Sequence, residues 1–209
     1  MKIALINGSP KRKGSSSSAL LEDLKKLLPD EHQIKQFHFN KPLLTEDEIT
    51  ELQDCSAWVF AFPLYVDSIP SHLLSCLCQL EQADFNRNGI HIYTFVNCGF
   101  YEGKQNTYAL SIMENWCYKA GLNWGMGIGF GGGGALSSMK NAPLEKGPKR
   151  NLGISLTVFV EAISRQDQKD NIITSIAFPR FLYKLIIELE WRKSIKANGG
   201  KVKDLKKRY

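Results

Sequence analysis

The stretch that decides the fold is Asn7-Gly8-Ser9-Pro10-Lys11-Arg12-Lys13-Gly14-Ser15-Ser16-Ser17-Ser18. A short apolar run, Ile3-Ala4-Leu5-Ile6, precedes it, and a segment with helical periodicity, 19–28, follows it. The stretch is therefore the turn from a first strand into a first helix. A helix N-terminus offers free backbone N–H groups and a partial positive charge, so the serines and cations gathered there predict a site for a phosphate group.

The composition is that of an ordinary globular protein. The chain has 209 residues, of which 43% are hydrophobic and 23% charged, which suffices for one domain with a sizeable core. The longest nearly uncharged apolar run, 152–163, is shorter than the roughly 20 residues that a membrane span needs. Because Met1-Lys2 leads directly into the first strand, we expect no signal peptide and a cytoplasmic protein.

Cysteine and histidine usage argues against a metal site or a disulfide framework. The five cysteines (Cys55, Cys76, Cys78, Cys98 and Cys117) are odd in number and include no Cys-x-x-Cys pair. The four histidines show no ligand spacing. We therefore expect reduced, mostly structural thiols and no metal.

The net charge of +6 is concentrated at the C-terminus. From Arg192 to Tyr209 there are eight Lys or Arg and one Asp, so this tail carries +7 and the rest of the chain −1. The near-neutral body predicts no nucleic-acid-binding domain. Contact of the basic tail alone with an anionic membrane surface or with nucleic acid stays open. Packing of the preceding helix on the core or in a dimer interface also stays open.

Strand-like and helix-like segments alternate along the chain. Strands are predicted at 2–7, 33–39, 57–62, 90–96 and 124–130, and helices at 16–28, 45–54, 68–80, 105–120, 151–166 and 178–196. This alternation predicts an α/β domain with a parallel sheet and right-handed crossovers. We expect a single domain over 1–209, with a helical extension from about 150 to 209 and a mobile loop at 137–149.

Two common nucleotide signatures are excluded at the first turn. In the Walker A pattern four residues separate the glycines and Lys follows the second, whereas here five residues separate Gly8 from Gly14 and Ser15 follows. The dinucleotide fingerprint occurs only at 129–134, where four consecutive glycines satisfy many patterns. No acidic residue ends a next strand about 20 positions later, as ribose binding requires. A loop near a ligand mouth is the better interpretation of that glycine run.

At this point the sequence resembles a known family. Gly8-Ser9-Pro10-Lys11, followed by Gly14-Ser15-Ser16-Ser17, is similar to the opening of the NAD(P)H-dependent FMN reductases and related multimeric flavodoxin-like proteins. The stretch Phe62-Pro63-Leu64-Tyr65-Val66-Asp67-Ser68-Ile69-Pro70 resembles the family's Pro-Leu-Tyr loop. Asn97-Cys98-Gly99-Phe100-Tyr101-Glu102 lies where the family has its second flavin loop. The resemblance covers roughly the first 130 residues.

The resemblance implies a flavodoxin-like, doubly wound five-stranded parallel sheet of order 2-1-3-4-5, with extra C-terminal helices. In that order the loops after strands one, three and four line one crevice, with FMN at the switch point between strands one and three. The implied phosphate-binding residues are Ser9, Lys11, Ser15, Ser16 and Ser17. The implied isoalloxazine-binding residues are Pro63, Leu64, Tyr65, Val66, Asp67, Asn97, Cys98, Gly99, Phe100, Tyr101 and Glu102.

Simpler interpretations of these residues stay open. The serine cluster could only cap a helix, the Pro-Leu-Tyr stretch could only pack, and Cys98 could be a small buried residue. Because the cofactor carries the chemistry, no catalytic acid or base is predicted. The family's iron–sulfur members have a compact cysteine cluster, and Cys76-Leu77-Cys78 does not match it.

The resemblance implies an FMN-binding oxidoreductase that takes hydride from NAD(P)H and passes electrons to a quinone, a flavin or another small acceptor. We also expect a homodimer or higher homo-oligomer. The first alternative is a flavodoxin-like electron carrier without NAD(P)H activity of its own. The near-neutral body and the length beyond five strands favour the enzyme over the carrier. A non-catalytic FMN-binding protein is a third interpretation.

Overall fold

The computed structural model describes residues 1–136 and 139–206, in which strands and helices alternate. Within these ranges the strands are β1 (Lys2–Asn7), β2 (Gln33–His38), β3 (Ala57–Pro63), β4 (His91–Cys98), β5 (Asn123–Gly131) and β6 (Ile172–Ser175). The α-helices are α1 (Ser16–Leu27), α2 (Glu46–Gln53), α3 (Ser71–Gln82), α4 (Thr107–Ala120), α5 (Arg150–Arg165) and α6 (Arg180–Ala197). Short 3₁₀ helices lie at Gly103–Asn106, Gly133–Ala135, Gly147–Lys149 and Val202–Lys206.

All the strands join one parallel sheet of order β2-β1-β3-β4-β5-β6. The predicted α/β class and the order of the first five strands are confirmed. The predicted strand count was wrong, since β6 extends the sheet beyond β5. This strand has four residues and is only partly buried, so its sequence shows neither clear alternation nor a long apolar run.

Helices cover both faces of the sheet. On one face Phe60 of β3 packs edge to face on Trp116 of α4, with ring centroids 6.0 Å apart. On the other face Tyr93 of β4 packs on Phe159 of α5 at 5.8 Å. Since β3 is buried along almost its whole length, its continuous apolar sequence is explained by apolar contacts on both sides.

Local capping signals set several helix ends. The Thr45 hydroxyl accepts from the backbone N–H of Glu48, and the Glu48 carboxylate accepts from that of Thr45, which confirms the predicted capping box. Gly121 ends α4 with a left-handed φ of +67°. Helix α3 begins at Ser71, after Pro70, and not at the predicted Ser68, because Ser68 closes a tight turn with Tyr65.

The chain divides into two compact units, 1–176 and 177–209. The first contains the whole sheet and helices α1–α5, and the second contains α6 and the last 3₁₀ helix. No helix in the described ranges is both long and apolar enough to cross a membrane. The first two residues of the predicted mobile loop, 137–138, and the last three of the basic tail, 207–209, lie outside the described residues. The loop ends in a 3₁₀ helix whose Lys149 is buried.

Candidate functional site

A cleft of about 200 Å³ opens at the carboxyl ends of β1, β3 and β4. Its walls come mainly from the three loops that follow these strands, with Gly134 from the segment after β5. It is lined by Ser9, Lys11, Ser15, Ser16, Ser17, Pro63, Leu64, Tyr65, Asn97, Gly99 and Gly134. Strands β2 and β3 lie on opposite sides of β1, so the chain reverses its winding direction here. Ligands of open α/β sheets bind at such a switch point.

The loop after β1 is held by bonds between its own residues and its neighbours. The backbone N–H of Gly8 donates to the carbonyl of Ala61 at 2.9 Å, which ties the loop to β3. The Asn7 side chain accepts from the Ser9 N–H at 3.0 Å through Oδ1. The Ser9 hydroxyl in turn accepts from the Lys11 N–H at 3.3 Å. These bonds fix the loop before any ligand is present.

The serine cluster divides into a cap and a set of free donors. The Ser15 hydroxyl accepts from the Ser18 N–H at 3.0 Å and is the N-cap of α1. None of the described residues accepts a hydrogen bond from the backbone N–H groups of Ser16 and Ser17. These are orphan donors of the first helical turn, and that turn holds no acidic residue. The arrangement suits an anion at the helix N-terminus.

Asn97 joins the three loops at the floor of the cleft. Its side chain is 4% exposed, and Nδ2 donates to the Ser17 hydroxyl at 3.2 Å and to the Phe62 carbonyl at 3.0 Å. A buried amide that satisfies two partners fixes their positions. Because Ser17 accepts from Asn97, its own hydroxyl proton is free to donate to a ligand.

A tight turn shapes the wall that follows β3. Tyr65 and Ser68 exchange both backbone hydrogen bonds at 3.0 Å, and the central residues Val66 and Asp67 have φ of 49° and 58°. Two left-handed central residues make a type I′ turn, which normally contains Asn or Gly. A β-branched residue in this conformation is strained. Tyr65 lines the cleft, whereas the Val66 side chain is 98% exposed and points to solvent.

Replacing Val66 by Asn should therefore stabilise the protein by about 1 kcal/mol, because Asn tolerates the left-handed region and no packing is lost. Urea unfolding of the variant and the wild type measures the change. Leu43→Asn is the matched control, since Leu43 is 75% exposed and lies outside the positive-φ set. If both variants change stability equally, surface hydrophobicity and not backbone strain is the cause.

The loop after β4 lies against glycines of β5 and also contacts residues of β6. A Cβ placed on Gly131 would lie 2.1 Å from the Tyr101 carbonyl oxygen and 2.5 Å from the Gly103 nitrogen. The Gly103 N–H donates to the Ser175 hydroxyl of β6 at 3.0 Å. The glycines of β5 are thus needed at their positions, because the absence of side chains there makes room for this loop.

Cys98 is a buried structural thiol. It is 3% exposed, and Asn106 Nδ2 lies 3.4 Å from its sulfur. Burial raises the pKa of the thiol above its ordinary value, which the hydrogen bond from Asn106 only partly opposes. Since the thiolate is the reactive form, this environment favours an unreactive neutral thiol.

Ten of the sixteen residues that the resemblance implies line the cleft. They are Ser9, Lys11, Ser15, Ser16, Ser17, Pro63, Leu64, Tyr65, Asn97 and Gly99. The other six (Val66, Asp67, Cys98, Phe100, Tyr101 and Glu102) belong to the same loops but do not line it. Gly134 lines the cleft and was missing from the predicted set. The sequence signal for Gly134 was the glycine run, which was predicted to form a loop near a ligand mouth.

The lining has the electrostatic character of an anion site. Lys11 is its only charged residue among those described, and it contains no carboxylate. Hydroxyls and helix-terminal N–H groups supply further donors close to Lys11. A Cβ on Gly133 would lie 2.7 Å from Cβ of Asn97, so the glycine run approaches the cleft floor closely.

Comparison with known proteins gives relatives by structure alone. No family model matches the chain, and no curated protein matches it significantly in sequence. An NAD(P)H:quinone oxidoreductase from Methanothermobacter marburgensis is 15% identical with a TM-score of 0.56, over 81% of this chain and 97% of the other. An FMN-dependent NADH-azoreductase from Bacillus anthracis, solved with FMN, is 17% identical with a TM-score of 0.53, over 80% and 99%.

A variant of the flavodoxin from Pseudomonas aeruginosa also matches, with 12% identity and a TM-score of 0.53, over 78% of this chain and 99% of the other. A quinone oxidoreductase, an azoreductase and a flavodoxin thus occur among the structures similar to this chain. At these identities the likeness shows the fold. The chain has a flavodoxin-like fold, with a six-stranded parallel sheet and helices on both faces.

Proposed function

We propose that this chain is an FMN-binding oxidoreductase of the NAD(P)H-dependent FMN reductase type. The observation that carries the proposal is the convergence of three loops on one cleft at the switch point of the sheet. One end of this cleft has the donors of a phosphate site. The fold is shared with an azoreductase solved with FMN and with a quinone oxidoreductase, which supports the same assignment.

The residues present fit FMN. Its phosphate would bind to the N–H groups and hydroxyls of Ser16 and Ser17 and to the Lys11 ammonium. Its ring would lie between the loops after β3 and β4, where Tyr65 and Gly99 line the cleft. Bound FMN would accept hydride from a reduced nicotinamide and pass electrons to a quinone, free flavin or another small acceptor.

The chain's own contribution is binding and orientation. Asn97 holds the floor of the cleft to α1 and β3, so the phosphate site and the ring site keep a fixed separation. No charged carboxylate lines the cleft among the described residues, and the phosphate therefore meets no repulsion there. The chain needs no catalytic acid or base for this role.

Changing Ser16 and Ser17 together to Ala should raise the FMN Kd at least about 100-fold, because two hydrogen bonds to a charged group are lost and each contributes roughly 1.5–3 kcal/mol. Flavin fluorescence quenching measures the Kd. Ser18→Ala is the matched control, since Ser18 lies in the same turn but outside the cleft lining. Unchanged FMN affinity in the double variant would show that these two hydroxyls do not bind the phosphate.

Anaerobic addition of NADH or NADPH to the FMN-loaded protein separates the enzyme from the carrier. We expect bleaching of the flavin absorbance by one of the nucleotides alone. If bound FMN is reduced only when a separate reductase protein is added, the chain is an electron carrier. The flavodoxin likeness makes this the second candidate function.

A further inference from the structure

Two histidines bond to consecutive carbonyls of the loop after β1. His38, the last residue of β2, has Nε2 3.0 Å from the carbonyl oxygen of Ser9. His72, in the first turn of α3, has Nε2 3.2 Å from the carbonyl oxygen of Gly8. A carbonyl oxygen can only accept, so both Nε2 atoms carry a proton and donate.

His38 binds the Ser9 carbonyl from outside the cleft. His38 does not line the cleft but lines a neighbouring cavity of about 330 Å³, together with Arg12 and Gln36. Asn7 lines that same cavity while its Oδ1 accepts from the Ser9 N–H at 3.0 Å. Ser9 is therefore bonded through both backbone polar groups, and its carbonyl oxygen bonds to a residue that lines the neighbouring cavity and not the cleft.

The direction of these carbonyls matters for an anion. A carbonyl oxygen carries partial negative charge, and one turned into the cleft would repel a phosphate. The bonds from the Gly8 and Ser9 N–H groups to Ala61 and Asn7 hold the amide side of the loop. The donors of His72 and His38 hold its carbonyl side without placing a side chain in the cleft.

We propose that His38 and His72 are positioning residues for the phosphate of the cofactor. By donating to the carbonyls of Ser9 and Gly8 they hold the loop in the conformation that presents its donors to the phosphate. This inference rests on the proposed FMN function. Neither histidine contacts the phosphate, so their effect is indirect and specific to the phosphate end of the ligand.

The test compares FMN with riboflavin, which lacks the phosphate. We expect His38→Ala and His72→Ala each to raise the FMN Kd about five- to tenfold, as for a lost hydrogen bond, with the riboflavin Kd within about twofold of the wild type. His38→Gln and His72→Gln should recover most of the affinity, because the Gln amide can donate to the same carbonyl. Thermal unfolding without ligand reports the fold of each variant.

His91→Ala is the matched control. His91 Nδ1 lies 3.2 Å from a loop carbonyl, that of Gly89, but at the amino end of β4, whereas the cleft opens at the carboxyl ends of the strands. Its FMN Kd should equal that of the wild type. Folded Ala variants at 38 and 72 with wild-type FMN affinity, or with equal losses for FMN and riboflavin, overturn the inference. A wild-type chain that does not bind FMN overturns the proposed function, and this inference with it.

Discussion

Replacing Gly131 by Ala should destabilise the protein by about 3 kcal/mol and weaken FMN binding more than tenfold, which is at the upper end of the cost of overpacking. The new Cβ would lie 2.1 Å from the Tyr101 oxygen and 2.5 Å from the Gly103 nitrogen. Both are backbone atoms, so no side-chain rotation relieves the clash. The loop after β4 must move, and Gly99 of that loop lines the cleft.

Urea unfolding and flavin fluorescence quenching measure the two effects. Gly99→Ala is the matched control for the unfolding measurement, because a Cβ there meets nothing within 4 Å and the residue does not have a positive φ. It should keep wild-type stability. A Gly131→Ala variant with wild-type stability would show that the loop is not held against β5 as described.

Replacing Lys149 by Met should destabilise the protein by about 3–5 kcal/mol, because it leaves a buried carboxylate without its main partner. Lys149 is 1% exposed and its ammonium bonds to Asp23 of α1, which is 5% exposed. The other cation near Asp23, Lys26, lies 3.6 Å away and is itself largely exposed. Ion pairs with an exposed partner of this kind contribute little to the free energy of unfolding.

The double variant Lys149→Met, Asp23→Leu separates the two sources of this loss. An apolar pair of similar volume removes both charges, and replacing a buried ion pair in this way is often neutral. Chemical denaturation should therefore show most of the stability restored. If the double variant is as unstable as Lys149→Met, lost packing and not an unpaired Asp23 explains the effect.

Most of the sheet could be predicted from the sequence, because the signals that define its strands and the neighbouring helix ends are local. The apolar run of β3, the Thr45–Glu48 capping box and the Gly121 helix stop each act within a few residues. The edge strand β6 carries no such signal, since it is short and half-buried and is defined by its pairing with β5. Its position depends on a neighbour that lies more than 40 residues earlier.

The candidate site was predictable as a set of loops but not in its details. Only the geometry shows that Ser15 caps α1 while the N–H groups of Ser16 and Ser17 stay free. The left-handed turn at Val66 contradicts the preference of its residue type, so no propensity rule predicts it. The buried ion pair of Lys149 and Asp23 joins positions that lie 126 residues apart in the sequence. No rule based on local sequence spacing predicts such a pair.

The histidines illustrate the same limit. Their sequence spacing gave no sign of a shared role, because His38 and His72 meet the loop from different elements. Hydrogen bonds from a side chain to a backbone carbonyl require no particular sequence motif, since any donor of suitable length could make them. Such residues are found from hydrogen-bond geometry around a site that is already located.

Titration of the purified protein with FMN, followed by flavin fluorescence quenching, tests directly whether the cleft binds this cofactor. We predict a Kd of about a micromolar or below, with riboflavin at least about tenfold weaker because it lacks the phosphate that the first loop binds. Absence of FMN binding at tens of micromolar, or equal affinity for riboflavin and FMN, would contradict the assignment of the Ser9–Ser17 loop to the cofactor's phosphate.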